Sequence, residues 1–177
     1  ACDTYWNAGI PRDQLDAMAA TLGSDVPFML HGGCALGMGR GEVLSPVMIR
    51  GNFHWVFAIF DEGLSTAQIY EKTDELRGLE FEGEPEVPTE LLSALARGDA
   101  PALGRLLHND LQLAAITSRP QLGRVLEQGI DSGALGALIS GSGPTCAFLV
   151  RDESSAIDLV VALKASGLVD DVLHTHG

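Results

Sequence analysis

The sequence is short of basic residues, of cysteine and of long apolar runs. Eleven lysines and arginines stand against 24 aspartates and glutamates, a formal net charge of −13 over 177 residues. That balance argues against a nucleic-acid-binding surface and against anchoring on anionic lipid. It leaves room for an anionic ligand, because backbone N–H groups can hold one without side-chain charge. The shortage is sharpest at the front, where Arg12, Arg40 and Arg50 are the only basic side chains before residue 52. No apolar run approaches the ~20 residues that span a bilayer. Cys2, Cys34 and Cys146 are odd in number, widely spaced and form no C-x-x-C pair. Neither a zinc site nor a redox motif is expected from them, and reduced thiols in a cytoplasmic protein are. His31, His54, His108, His174 and His176 show no ligand spacing, so no metal site is expected. His174 and His176 read as a frayed end. No G-x-x-x-x-G-K-[ST] loop and no G-x-S-x-G elbow is present.

What is there is a core-forming chain, 46% apolar, with one conspicuous bend. Ser140-Gly141-Ser142-Gly143-Pro144-Thr145 lies between the apolar runs 134–139 and 146–150. Two short runs joined by a Gly-rich turn predict two strands and a tight connection. Small residues around Pro144 let backbone N–H groups face outward. Such a bend can hold a phosphate, brace a neighbouring loop that does, or be an ordinary hairpin turn, and taken alone it reads as the ordinary turn.

Tyr5 and Trp6 read as the end of a helix begun earlier, so the chain is expected to be a fragment. Pro11 suits a helix start, Leu15, Met18, Ala19 and Leu22 make one apolar face, and Gly23 stops it. Pro27 biases Val26 away from helix, placing Asp25 in a fixed turn. From Met29 to Val47 short strands are predicted, with Gly37 to Gly41 as a hairpin turn, since no helix follows it as a nucleotide loop requires. A boundary falls at Arg50-Gly51-Asn52. Beyond it the prediction is a strand at 54–60, a helix capped by Ser65 or Thr66, and an acidic loop at 78–88. Short helices follow at 90–97, after Asp99, and at 120–129. Then come the two strands around the bend, a helix capped by Asp152 or Ser154, and a strand at 168–174. That order is β-α-β-β-α-β with extra helices in the first crossover, an α+β, ferredoxin-like arrangement.

Two features could carry chemistry. Asp25 could accept a proton from a substrate hydroxyl, or it could satisfy nearby backbone amides as turn aspartates commonly do. Thr66 and Tyr70 stand one helical turn apart and could line a pocket together, or Tyr70 could be a half-buried aromatic on the core face.

Leu22-Gly23-Ser24-Asp25-Val26-Pro27-Phe28, the block from Gly32 to Glu42, and the bend at 140–145 resemble the small-molecule kinases of the galactokinase, homoserine kinase, mevalonate kinase and phosphomevalonate kinase (GHMP) superfamily. The resemblance covers essentially the whole chain. It is nearest to the branch that phosphorylates the 2-hydroxyl of a cytidine diphosphate-linked methylerythritol in non-mevalonate isoprenoid synthesis. It implies ATP as co-substrate, Mg2+ accompanying it, and a small cytidine-bearing acceptor as partner. It implies Asp25 as catalytic base, Thr66 and Tyr70 as substrate-binding, with Tyr70 stacked on the cytosine. It implies Gly141, Ser142 and Gly143 as support for the nucleotide phosphates. The family's ATP-phosphate loop and its acceptor-orienting lysine have no counterpart here. The resemblance therefore implies that 1–50 is the tail of a ribosomal-protein-S5-like N-terminal domain, that 51–177 is the ferredoxin-like C-terminal domain, and that this chain alone is inactive. Two alternatives stay open: another kinase of the superfamily, and a non-catalytic ferredoxin-like ligand-binding module.

Overall fold

The computed structural model of the protein describes residues 2–78 and 87–177. It divides into two compact units, 1–49 and 50–177. Most of the loop expected at 78–88 lies outside the described residues. Among those described, no helix is long and apolar enough to cross a membrane.

The first unit holds α1 (Cys2–Trp6), α2 (Arg12–Leu22), α3 (Val26–His31) and an antiparallel hairpin of β1 (Ala35–Met38) and β2 (Val43–Pro46). The hairpin turns through residues 39–42, as the glycine cluster predicts. Helix α3 corrects the expectation of non-helical chain through Val26 and strand from Met29. Pro27 sits in its first turn, where the missing N–H would have had no intrahelical partner and the fixed φ already suits a helix. Asp16 ties the two helices. Its carboxylate lies 3.6 Å from Arg12 Nε and 3.2 Å from His31 Nε2, and the Arg12 guanidinium donates to the Leu30 carbonyl.

The second unit is built on a four-stranded antiparallel sheet of β3 (His54–Ile59), β4 (Gly136–Ile139), β5 (Cys146–Val150) and β6 (Asp171–His176), in spatial order β4-β5-β3-β6. Between β3 and β4 run α4 (Thr66–Arg77), α5 (Thr89–Arg97), α6 (Ala100–Leu106), α7 (Gln112–Ser118) and α8 (Gln121–Asp131); α9 (Glu153–Ser166) joins β5 to β6. The expected β-α-β-β-α-β order is present, and the spatial order is that of a ferredoxin-like sheet. Helix α7 was not anticipated. Strand β6 reaches His176 and pairs with β3, His54 opposite His176, which corrects the frayed end: the imidazoles of His54 and His174 stack with centroids 5.6 Å apart.

One sheet face makes the main core. Val56 and Ala58 of β3, Ile139, Cys146, Phe148, Val150 and Val172 pack with Leu122, Val125 and Leu126 of α8 and Ala156, Leu159 and Leu163 of α9. The spacings on both helices are those of one apolar stripe. Strand β5 is buried along its length because it lies between two partners and beneath both helices. Each large side chain removed from water there, Phe148 above all, contributes about 1.5–3 kcal/mol. The caps are side chains read directly from sequence: Ser65 accepts from Gln68 N, Asp99 from Ala102 N and Asp152 from Ser155 N.

Helix α6 and β4 meet backbone to backbone. A Cβ on Gly136 would lie 2.1 Å from the Gly104 carbonyl oxygen, and one on Gly104 2.3 Å from the Leu135 oxygen. Backbone cannot yield there as a side-chain tip could. Gly136→Ala is expected to destabilise the fold by about 3 kcal/mol, measured by equilibrium denaturation; an unchanged midpoint would show that the two elements separate freely.

The Asp152 carboxyl lies below its ordinary value of 3.8 because the Ser155 amide and hydroxyl both donate to it. A group depressed in the folded state contributes stability above its unfolded value and loses it as pH falls through the folded one. Asp152→Ala should therefore melt lower than the parent at neutral pH. The gap should close as melts are repeated well below pH 3.8; a gap independent of pH would show that the carboxylate is not the cap.

Candidate active site

The bend at 140–145 closes the β4–β5 hairpin and is tied from several directions. Ser140 N donates to Thr145 O at 2.8 Å and Gly143 N to Ser140 O at 2.9 Å. Gly143 has φ +80° and packs tightly: a Cβ there would meet Ile139 Cγ2 at 2.9 Å and Leu64 Cδ1 at 3.4 Å. Both constraints exclude a larger residue. Among the described residues, none accepts from the Gly141 or Ser142 amide. Those two N–H groups are the part of the bend left for an anion. Cys146 at its exit is fully buried, and burial pushes its thiol up to about 12, which rules it out as a nucleophile at neutral pH.

Thr66 and Ser142, 76 positions apart in sequence, meet at 2.9 Å between their hydroxyl oxygens. The first turn of α4 is thereby joined to the bend. Ile69 and Thr73 turn into the core, 2% and 4% exposed. Tyr70 does not: it is 55% exposed, so the reading of it as a core-face aromatic is corrected. Its ring lines a cavity of about 410 Å³ with Thr73, Asp74, Arg77 and residues 108–111. On the wall of this cavity Asp110 lies 2.8 Å from His108 Nε2 and 3.0 Å from the Arg77 guanidinium. The hydrogen bond from His108, with the Arg77 charge behind it, holds the Asp110 carboxyl below its ordinary range. The helix and the bend thus bring Thr66, Tyr70 and Ser142 into one neighbourhood of the second unit.

Asp25 belongs to the first unit. It stands in the turn between α2 and α3, with φ −86° and ψ −14°, and makes no side-chain cap bond to α3. Its carboxylate accepts only a long contact, 3.4 Å, from the Ser24 hydroxyl. Among the described residues no backbone amide donates to it, so the alternative role of satisfying turn amides is not the one it plays.

Two residues of the site escaped sequence reasoning. Asn109 Nδ2 donates to Ile139 O at 2.6 Å and to Gly141 O at 2.8 Å, and Gln112 Oε1 accepts from Ile139 N at 3.0 Å. A signal existed: Asn109 and Gln112 are spaced as a helix-start pair ahead of an apolar run.

The chain is similar to known proteins along its length. Residues 91–168 match the family described as GHMP kinases C terminal. The 4-diphosphocytidyl-2-C-methyl-D-erythritol kinase of Thermobifida fusca is 52% identical over 177 residues, all of this chain and 57% of that protein. The kinase of the same name from Mycolicibacterium gilvum is 50% identical over 171 residues, 95% of this chain and 53% of that protein. A crystal structure of 4-(cytidine 5'-diphospho)-2C-methyl-D-erythritol kinase superposes with TM-score 0.77 at 28% identity, over 98% of this chain and 59% of that one. The chain thus spans a little over half the length of the relatives it matches. With a ferredoxin-like sheet, a small-residue bend braced from α4 and this similarity along its length, residues 91–168 form a GHMP kinase C-terminal domain and the chain corresponds to the C-terminal part of the relatives it matches.

Proposed function

We propose that these residues are the C-terminal part of an ATP-dependent kinase that phosphorylates the 2-hydroxyl of 4-diphosphocytidyl-2-C-methyl-D-erythritol, the activity for which the relatives are named. The observation that carries the reading is the Thr66–Ser142 contact at 2.9 Å. It links the helix bearing Tyr70 to the bend that would face the phosphates. In this reading 1–50 is the tail of the N-terminal, ATP-binding domain, and 51–177 is the C-terminal domain. The stretch of the relatives that this chain does not match would supply the rest of the nucleotide site, so the 177 residues alone would not turn over ATP.

Phosphoryl transfer asks for positioning and electrostatic support more than covalent chemistry. Asp25 takes the proton of the acceptor hydroxyl as that oxygen bonds to the γ-phosphorus. The bond from the γ-phosphorus to the bridging oxygen breaks, and ADP leaves. ATP enters as its Mg2+ complex, the ion sharing the phosphate charge. Gly141, Ser142 and Gly143 support the phosphates through the backbone. Tyr70, exposed on its helix, offers a face for the cytosine, and Thr66, one helical turn earlier, contributes to substrate binding beside Ser142.

Two variants of the full-length kinase containing these residues test the reading. Asp25→Asn should lower kcat by about 10²–10⁴-fold, the scale of a lost general base; near-normal turnover would remove Asp25 from that role. Tyr70→Ala should raise KM for the cytidine-bearing acceptor by about ten- to a hundredfold, as loss of one base stack predicts. A preference for homoserine or mevalonate over the cytidine-bearing acceptor would overturn the choice of substrate.

A further inference from the structure

Asn109 sits between α6 and α7, and both N–H groups and the oxygen of its side-chain amide have partners. Nδ2 donates to the carbonyls of Ile139 and Gly141, and Oδ1 accepts from Leu111 N at 3.0 Å. The neighbouring Gln112 holds the Ile139 amide, and its own N–H donates to Asn109 O at 3.0 Å. One short segment therefore grips the last residue of β4 and the first half of the bend.

The grip on Gly141 O has a directional effect. The Gly141 carbonyl and the Ser142 N–H belong to one planar peptide unit, and in a trans unit the two point in opposite directions. The only cis peptide among the described residues is Gly143–Pro144, so the 141–142 unit is trans. With the carbonyl fixed on Asn109, the Ser142 N–H must point away from α7. That amide has no acceptor among the described residues, and the Ser142 hydroxyl is held separately by Thr66. Two side chains, one from the α6–α7 connection and one from α4, thus fix the orientation of this one residue.

We propose that Asn109 is a positioning residue that aims the Ser142 amide at a phosphate group of the nucleotide, an inference that rests on the kinase reading above. It reaches the phosphate only through that amide. It acts by removing the freedom of the 141–142 peptide to rotate. A donor already aimed where charge lies needs no reorganisation when the ligand arrives. Asn109 itself also lines the Tyr70 cavity, so its loss is felt on the acceptor side too, though less than at the amide it orients.

The test uses the full-length kinase with ATP and the cytidine-bearing acceptor. Asn109→Ala should raise KM for ATP about ten- to a hundredfold, and weaken ATP binding in calorimetry by the same factor, with a clearly smaller rise in KM for the acceptor, whose cavity Asn109 also lines. Asn109→Ser, which keeps one hydroxyl donor, should recover part of the loss and serves where the alanine variant fails to fold. Unchanged ATP binding in either folded variant would overturn the proposal, as would equal losses for both substrates, which is the pattern of a merely structural role. Should the parent bind ATP yet phosphorylate neither this acceptor nor any other alcohol, the kinase reading fails on its own. ATP affinity in the variants then still decides whether Asn109 aims the amide.

Discussion

The tip of the β4–β5 hairpin is where the fold and the chemistry meet, and it depends on amide side chains satisfying backbone groups that no strand reaches. β4 has only one sheet partner, β5. Its final residue therefore has peptide groups with no ladder neighbour on the open side. Buried backbone groups left without partners cost as much as a lost hydrogen bond. Asn109 and Gln112 supply the partners, and in doing so turn a hairpin tip into a fixed piece of geometry. Without them the bend would still form its own Ser140–Gly143 turn, but nothing would set which way its remaining amides face.

The support is rigid because what lies behind it is rigid. α7 carries Ala114 and Ala115 into the core, 1% and 0% exposed, and Ala115 Cβ lies 3.9 Å from the position a Cβ on Gly143 would take. Small residues on both sides let the helix approach the bend closely. The same device recurs at the other end of β4, where Gly104 and Gly136 let α6 touch the strand by its backbone. Glycine in either place leaves no side chain to adjust, so α6 and α7 seat β4 at one depth. The large residues that supply the hydrophobic free energy, Phe148, Leu159 and Leu163, sit one layer away, and burial of strand and helices fixes the platform from which the bend projects.

Local signals in the sequence were read faithfully wherever the residue that forms a feature is near the residue that announces it. Asp99 and Asp152 cap helices three residues ahead of them, and the apolar spacing of Leu122, Val125 and Leu126 describes a face decided by the helix itself. α3 is hidden in the sequence because Pro27 biases the residue before it away from helix, while a proline in the first turn has no bond to break. α7 was lost because it is short and opens without a side-chain cap of its own. Asn109 and Gln112 show the harder case. Their spacing is that of a capping pair, yet Asn109 Nδ2 turns to a carbonyl 30 positions away and Gln112 Oε1 to an amide 27 away. The sequence marks the pair as polar groups at a helix start; only the folded chain says that their partners are in the bend. Tyr70 is similar, since the helix fixes its angle to Ile69 but not which side meets water.

In the proposed reading an acidic chain has to hold a polyanion, and the backbone offers a way to do it. The cations near α4 already have neighbours. Arg77 lies against Asp110, Lys72 against Glu75, and Arg119 over the Phe60 ring while donating to Glu62 O. With 24 acidic side chains against 11 basic ones, added lysines on a mobile surface would be screened by water and drawn to nearby carboxylates. A backbone amide has neither weakness. It carries only a partial charge, so it attracts no counter-ion of its own, and once its carbonyl is tied it cannot turn away. The value of such a donor lies in its orientation rather than its charge. On the proposed reading, that would give a neutral residue such as Asn109 more influence on phosphate binding than another cation.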